Sequence, residues 1–186
     1  NFYLFPDSLI TKSLNFTIDQ QLTGIQYPET KGNKHNIKWY PRREKFFAYQ
    51  GEEPFHMYTE QTRLIGNLLL CPLGLTGDGI ARLDNAKLNS KKYEFNANDF
   101  SSDSSSLDLY APGSDSISFE STKLKAKIDF LSREGTFAKL GVSIFARMQP
   151  LRYETHLDRF SWNIDNNELT ISTLFRQKAV ELEKFH

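Results

Sequence analysis

Apolar and polar residues alternate along most of this chain with a period of two, the signature of strands that keep one face wet, and a helical period surfaces only at the end. Residues 15–18 and 21–27 alternate loosely, as two strands joined by a turn. Residues 29–36 are polar and rich in turn formers, which predicts a loop. Residues 37–40 and 46–49 then place aromatic strands on either side of the charged bend Pro41-Arg42-Arg43-Glu44-Lys45. From Tyr58 the pattern alternates and ends in the run Leu68-Leu69-Leu70, as in a strand covered on both faces, before Gly74, Gly77 and Gly79 break it. Ile80, Leu83, Ala86 and Leu88 mark the next strands, and Tyr93, Phe95 and Ala97 alternate with Glu94, Asn96 and Asn98. The serine-rich residues 101–106 read as a loop, with strands resuming over 107–110, at Ile117 and Phe119, and over 123–128. Phe160, Trp162 and Ile164, the turn Asp165-Asn166-Asn167-Glu168, and Leu169 with Ile171 make the clearest hairpin. In the tail, Phe175, Ala179, Leu182 and Phe185 fall at helical spacing and predict a short C-terminal helix.

The order weakens near residues 51–54, which divides the chain into a small β cap over 1–55, a main β body over 56–173 and the helix over 174–186. Within the body one phrase is written twice. Leu83-Asp84-Asn85-Ala86-Lys87-Leu88-Asn89-Ser90-Lys91-Lys92 is echoed by Phe119-Glu120-Ser121-Thr122-Lys123-Leu124-Lys125-Ala126-Lys127-Ile128. Such an echo points to repeated strands, and hence to an all-β fold that is either stacked like a β-solenoid or a layered antiparallel sheet. A β-sandwich accounts for the alternation equally well and makes the echo fortuitous.

Composition narrows the class without naming a function. At 186 residues, with 39% hydrophobic residues, 15 Phe and 8 Tyr, the chain has material for a real core. Its 23 basic and 23 acidic residues cancel, so no global field gathers polyanions and no nucleic-acid partner is expected. A single cysteine, Cys71, excludes an internal disulfide and a paired-cysteine zinc site, and its apolar neighbours suit a buried thiol. No apolar run is long enough for a transmembrane helix. A first residue other than Met suggests that the chain is part of a longer one.

Phosphate loops, dinucleotide fingerprints, nucleophile elbows and HExxH pairs are missing, so no cofactor is expected and no residue is assigned a catalytic role. Trp39, Tyr40, Arg42, Arg43, Phe47 and Tyr49 are the strongest ligand-binding candidates. Aromatic faces stack on sugar rings, arginines address anionic groups, and the adjacent Phe46 and Phe47 cannot both face a core. Glu154, His156 and Asp158 alternate, so on a strand they share a face where a metal or an acid and base pair could form; the plain alternative is a solvated outer face. Asn96, Asn98, Asp99, Ser101, Ser102 and Asp103 are rich in oxygen but match no calcium-loop spacing.

Residues 79–95 and 119–137 resemble segments of large uncharacterised envelope proteins of Gram-negative bacteria. Their rhythm is also similar to the stacked, groove-forming β bodies of periplasmic lipopolysaccharide-transport proteins. That resemblance implies a noncatalytic structural or binding module of a larger cell-envelope or secreted protein, offering an aromatic or grooved surface to a glycan, lipid or protein. The alternative is a carbohydrate-active enzyme working through acidic residues and His156.

Overall fold

Strict alternation gives every strand one apolar face, and since no long helix lies over those faces among the described residues, the described sheet covers itself. The computed structural model of the chain describes residues 2–19, 26–141 and 144–172. These form β1 (Phe2–Leu4), β2 (Leu9–Ile18), β3 (Thr30–Tyr40), β4 (Lys45–Tyr49), β5 (Phe55–Met57), β6 (Arg63–Cys71), β7 (Gly74–Leu83) and β8 (Ala86–Phe95). They continue with β9 (Asp99–Tyr110), β10 (Ile117–Asp129), β11 (Glu134–Lys139), β12 (Ile144–Met148), β13 (Tyr153–Leu157), β14 (Arg159–Asn163) and β15 (Glu168–Ser172). All belong to one antiparallel sheet with the order β1-β2-β3-β4-β6-β7-β8-β9-β10-β11-β14-β15. The remaining strands extend this path: β5 follows β4 in the gap between β3 and β6, and β12 with β13 follows β11 with β14. The protein is therefore all-β, built on one large antiparallel sheet, an arrangement that the β-sandwich alternative also fits.

Five of the long strands are broken at the same level, and the breaks line up as a crease across the sheet. In β3 the buried positions run Thr30, Gly32, then His35, Ile37, with Asn33 and Lys34 as the extra pair. Equivalent polar doublets interrupt β2 at Lys12-Ser13, β8 at Lys91-Lys92, β9 at Asp103-Ser104 and β10 at Thr122-Lys123. Each inserts one residue, so alternation resumes with its parity shifted and both halves still present their apolar side chains to one interior. Ser13, Lys34 and Lys123 take left-handed backbone there, with φ of 54°, 56° and 57°. β6 and β7 cross without an insertion, through Gly66 opposite Gly79.

Breaking the ladder frees backbone groups, and short polar side chains satisfy them. The buried Ser90 hydroxyl sits 2.7 Å from that of Ser102, accepts from Lys92 N and reaches the carbonyls of Lys92 and Ser104. Ser105 donates to Leu124 O, Ser121 to Phe145 O, and Asn15 and Asn67 accept from the backbone of Lys34 and Gln50. Residues 101–106 are consequently strand rather than the expected loop, with the buried Ser102 and Ser105 hydroxyls bonding to the neighbouring strands. Residues 29–36, also expected as a loop, lie mostly in β3 for the same reason: the polar doublet masks two alternating halves.

The two halves close over a single core. Beyond the crease, Tyr58 follows β5, and its hydroxyl lies 2.7 Å from Asp99 O and 2.9 Å from Asn96 O on the β8–β9 turn, while its ring stacks on Phe130. Asn167, in the β14–β15 turn, likewise donates to Tyr110 O at the far end of β9. Between these clamps runs an inner row in which direct partners follow one another: Trp39, Phe46, Leu70, Leu75, Phe95, Phe100, Ile128, Gly135, Trp162 and Leu169. Fully burying one such aliphatic or aromatic side chain is worth about 1.5–3 kcal/mol.

The sheet runs on through residue 55, where Phe55 is fully buried and pairs with Leu64. The echoed phrases fall mainly on β8 and β10, which flank β9 at different heights: Leu88 faces Leu107, whereas Leu124 faces Ser105. The predicted helix over 174–186 and most of the strand over 21–27 lie outside the described residues.

The crease makes a clear demand at Gly66, where a Cβ would collide with the Asp78 carbonyl of the neighbouring strand. Gly66→Ala is expected to lower unfolding free energy by about 2 kcal/mol or more in urea denaturation. Gly113→Ala, where a Cβ meets nothing, should cost only its left-handed backbone, about 1 kcal/mol. Equal losses would show that the close approach at Gly66 is not a constraint.

Candidate binding surface

The outward positions of the sheet form a second row, parallel to the inner one and chemically divided. Its direct partners are Tyr3, Ile10, Lys38, Phe47, Leu69, Thr76, Glu94, Ser101, Lys127, Thr136, Ser161 and Thr170. From Thr76 onward it is polar, as an outer face should be. Over β1–β6 it is apolar and aromatic except for Lys38, and Tyr40 and Tyr49 flank it on β3 and β4. Phe47 lies parallel to Tyr49 with centroids 6.3 Å apart and meets Tyr40 edge-on at 6.1 Å. Lys38 Nζ and the Arg43 guanidinium lie 5.1 Å and 5.7 Å from the Tyr40 ring centre, within cation–π range. A hydrogen bond with the Tyr40 hydroxyl raises the Lys38 pKa, so the cation stays charged.

The structure thus brings Tyr40, Phe47 and Tyr49 together, adds Arg43 beside them, and separates Trp39. Trp39 has the opposite parity and stands at the open end of the inner row, where Tyr27, Pro41, Phe46, Leu70 and Pro72 join it around a cleft of about 440 Å3. Arg42 and Arg43 occupy the short 3₁₀ turn between β3 and β4. Sequence reasoning missed Ile10, Lys38 and Leu69. Leu69 was expected to be covered on both faces, yet it is only half-buried and pairs outward with Phe47. The signal available was parity: Leu68 and Leu70 face Ala48 and Phe46, so Leu69 cannot face the same core.

Glu154 and His156 do project from one outer face of β13, as the alternation requires, but their partners are already chosen. Arg147 donates to Glu154 and to Glu120, each at 2.9 Å, and those hydrogen bonds raise its pKa, the one to Glu154 most. His156 pairs with Phe145 across the strands, their rings meeting edge-on. Asp158 lies just past β13, where Lys139 holds it at 2.6 Å. Among the described residues no group of three or more His, Cys, Asp or Glu is placed to hold a metal ion. Cys71 is half-buried beside the Trp39 cleft, and no helix among the described residues is long and apolar enough to cross a membrane. No protein-family model, curated protein or solved structure matches this chain.

One titratable group is buried without full satisfaction. His35 is completely enclosed and lies flat on Phe55, ring centres 3.9 Å apart. Its Nδ1 donates to Tyr49 O at 3.1 Å, and Nε2 has no hydrogen-bond partner among the described residues. Burial lowers its pKa below the ordinary value of 6.5, against the opposing pull of the Tyr49 carbonyl and the Glu53 carboxylate. The folded state therefore binds fewer protons than the unfolded state below that value, so stability complete above about pH 6.5 is lost as pH falls toward the folded pKa. His56, also lowered chiefly by burial, acts in the same direction. Unfolding free energies from urea denaturation between about pH 7.5 and pH 5 should decline by up to about 1.4 kcal/mol per pH unit per titrating group. His35→Gln, which keeps a donor for Tyr49 O but cannot titrate, should flatten that decline; an unchanged slope would exonerate His35.

Proposed function

We propose that this chain is a noncatalytic structural and binding module of a larger envelope or secreted protein, and that its outer aromatic face receives a glycan. One observation carries the reading: Ile10, Phe47 and Leu69, flanked by Tyr40 and Tyr49, occupy outward positions that the core does not need, on a face that turns polar from Thr76 onward. Apolar side chains on the wet side of a folded sheet contribute little to its stability, and a contiguous group of them marks an interaction surface. Aromatic rings match the apolar faces of sugar rings, while Lys38 and the second carboxylate oxygen of Asp78 lie along the same face to bond hydroxyls. An enzymatic reading would require Glu154 and Asp158 to converge on a cleft, whereas salt bridges engage both.

The purified chain on a glycan array, followed by calorimetric titration of the tightest glycan, tests this. Tyr40→Ala and Tyr49→Ala should each weaken binding about tenfold with an unchanged thermal midpoint, and Glu154→Ala should leave it intact. An array without binding, full affinity in both tyrosine variants, or turnover abolished by Glu154→Ala would each overturn the proposal.

A further inference from the structure

Three turns that are neighbours along one rim of the sheet carry apolar side chains at their tips. Leu4 and Phe5 lead into the β1–β2 turn, Trp39 precedes the β3–β4 turn, and Leu73 forms the β6–β7 turn. Pairing of Leu9 with Trp39 and of Phe46 with Leu70 places these turns side by side. Their exposures are 81%, 54%, 44% and 95%, far beyond what a core or a protected edge leaves uncovered. Between them the β3–β4 turn presents Arg42 and Arg43, neither held in a salt bridge among the described residues. The cleft behind Trp39 opens at this same rim.

We propose that this rim docks on the surface of an anionic lipid bilayer. Separate apolar points on adjacent tips do not build the close-fitting patch that a protein partner requires, but each can enter a deformable nonpolar phase independently. A tryptophan beside arginines matches the layering of such a surface, with the indole at the headgroup boundary and guanidinium groups on phosphates. The proposal concerns the rim, which meets the glycan face only at Arg43, and stands without the glycan reading.

Flotation with sugar-free vesicles, of phosphatidylcholine alone or mixed with phosphatidylglycerol, separates the outcomes. The chain should float with the mixed vesicles and much less with phosphatidylcholine alone. Its tryptophan emission should shift to the blue, reporting Trp39, since the only other tryptophan, Trp162, is fully buried. Leu73→Asp, at a site too exposed to affect folding, should reduce partition tenfold or more, and Arg42→Glu with Arg43→Glu should abolish the preference for anionic lipid. Absence of flotation, or flotation unchanged in Leu73→Asp, would overturn the proposal. So would a blue shift that arises without vesicles together with a dimer that Leu73→Asp dissociates, which would assign the rim to a second copy of the chain.

Discussion

A wide antiparallel sheet that buries its apolar face against itself has to bend its strands at one level. That requirement governs this molecule. A bend in a single strand would tear the ladder on either side, so the irregularity has to propagate through all of them. The chain meets this in three ways: inserted polar doublets in β2, β3, β8, β9 and β10, glycines facing one another in β6 and β7, and outright interruptions between β4 and β5 and between β11 and β12. All three shift or release the backbone without turning the apolar face outward.

The chemistry of the crease follows from what bending costs. Each inserted residue leaves backbone donors and acceptors without ladder partners, in places where Ser90, Ser102, Ser105 and Ser121 are buried. An unsatisfied buried group costs about 1–3 kcal/mol, which is why hydroxyls rather than methyls line the inside of the bend. A serine is also small enough to let the two halves approach. The serine run that looked featureless in the sequence is therefore the part of β9 under the tightest chemical demand.

The same mechanism decides how much of the fold was legible. The all-β class, the hairpin around residues 165–168 and the strand character of residues 86–95 and 123–128 follow from alternation alone. The lengths of β3 and β9 did not, because a rule of strict period two reads the parity shift at Asn33-Lys34 or Asp103-Ser104 as the end of a strand. A polar doublet flanked by two alternating segments of opposite parity is a bulge signal, and it recurs at five places here. The echo between residues 83–92 and 119–128 has a plain origin in this light: both segments run into strands beside β9 whose outward positions carry lysines.

Parity also sorts the candidate site. Tyr40, Phe47 and Tyr49 were legible as a group because adjacent aromatics at 46 and 47 must point in opposite directions, whichever way the sheet faces. Their companions Ile10 and Leu69 come from other strands, and only the register of β2 with β3 and of β4 with β6 reveals them. Trp39 was grouped with them by proximity in sequence, but it belongs to the inner row, one position out of phase. Among the described residues the inner row is uncovered at this end, where the apolar cleft opens among Tyr27, Trp39, Phe46 and Leu70. A sheet that can seal its far ends with Tyr58 and Asn167 had the means to seal this one as well. An apolar mouth kept open beside an apolar outer face is a stability cost with no structural return, and selection tolerates such a cost where the surface is used.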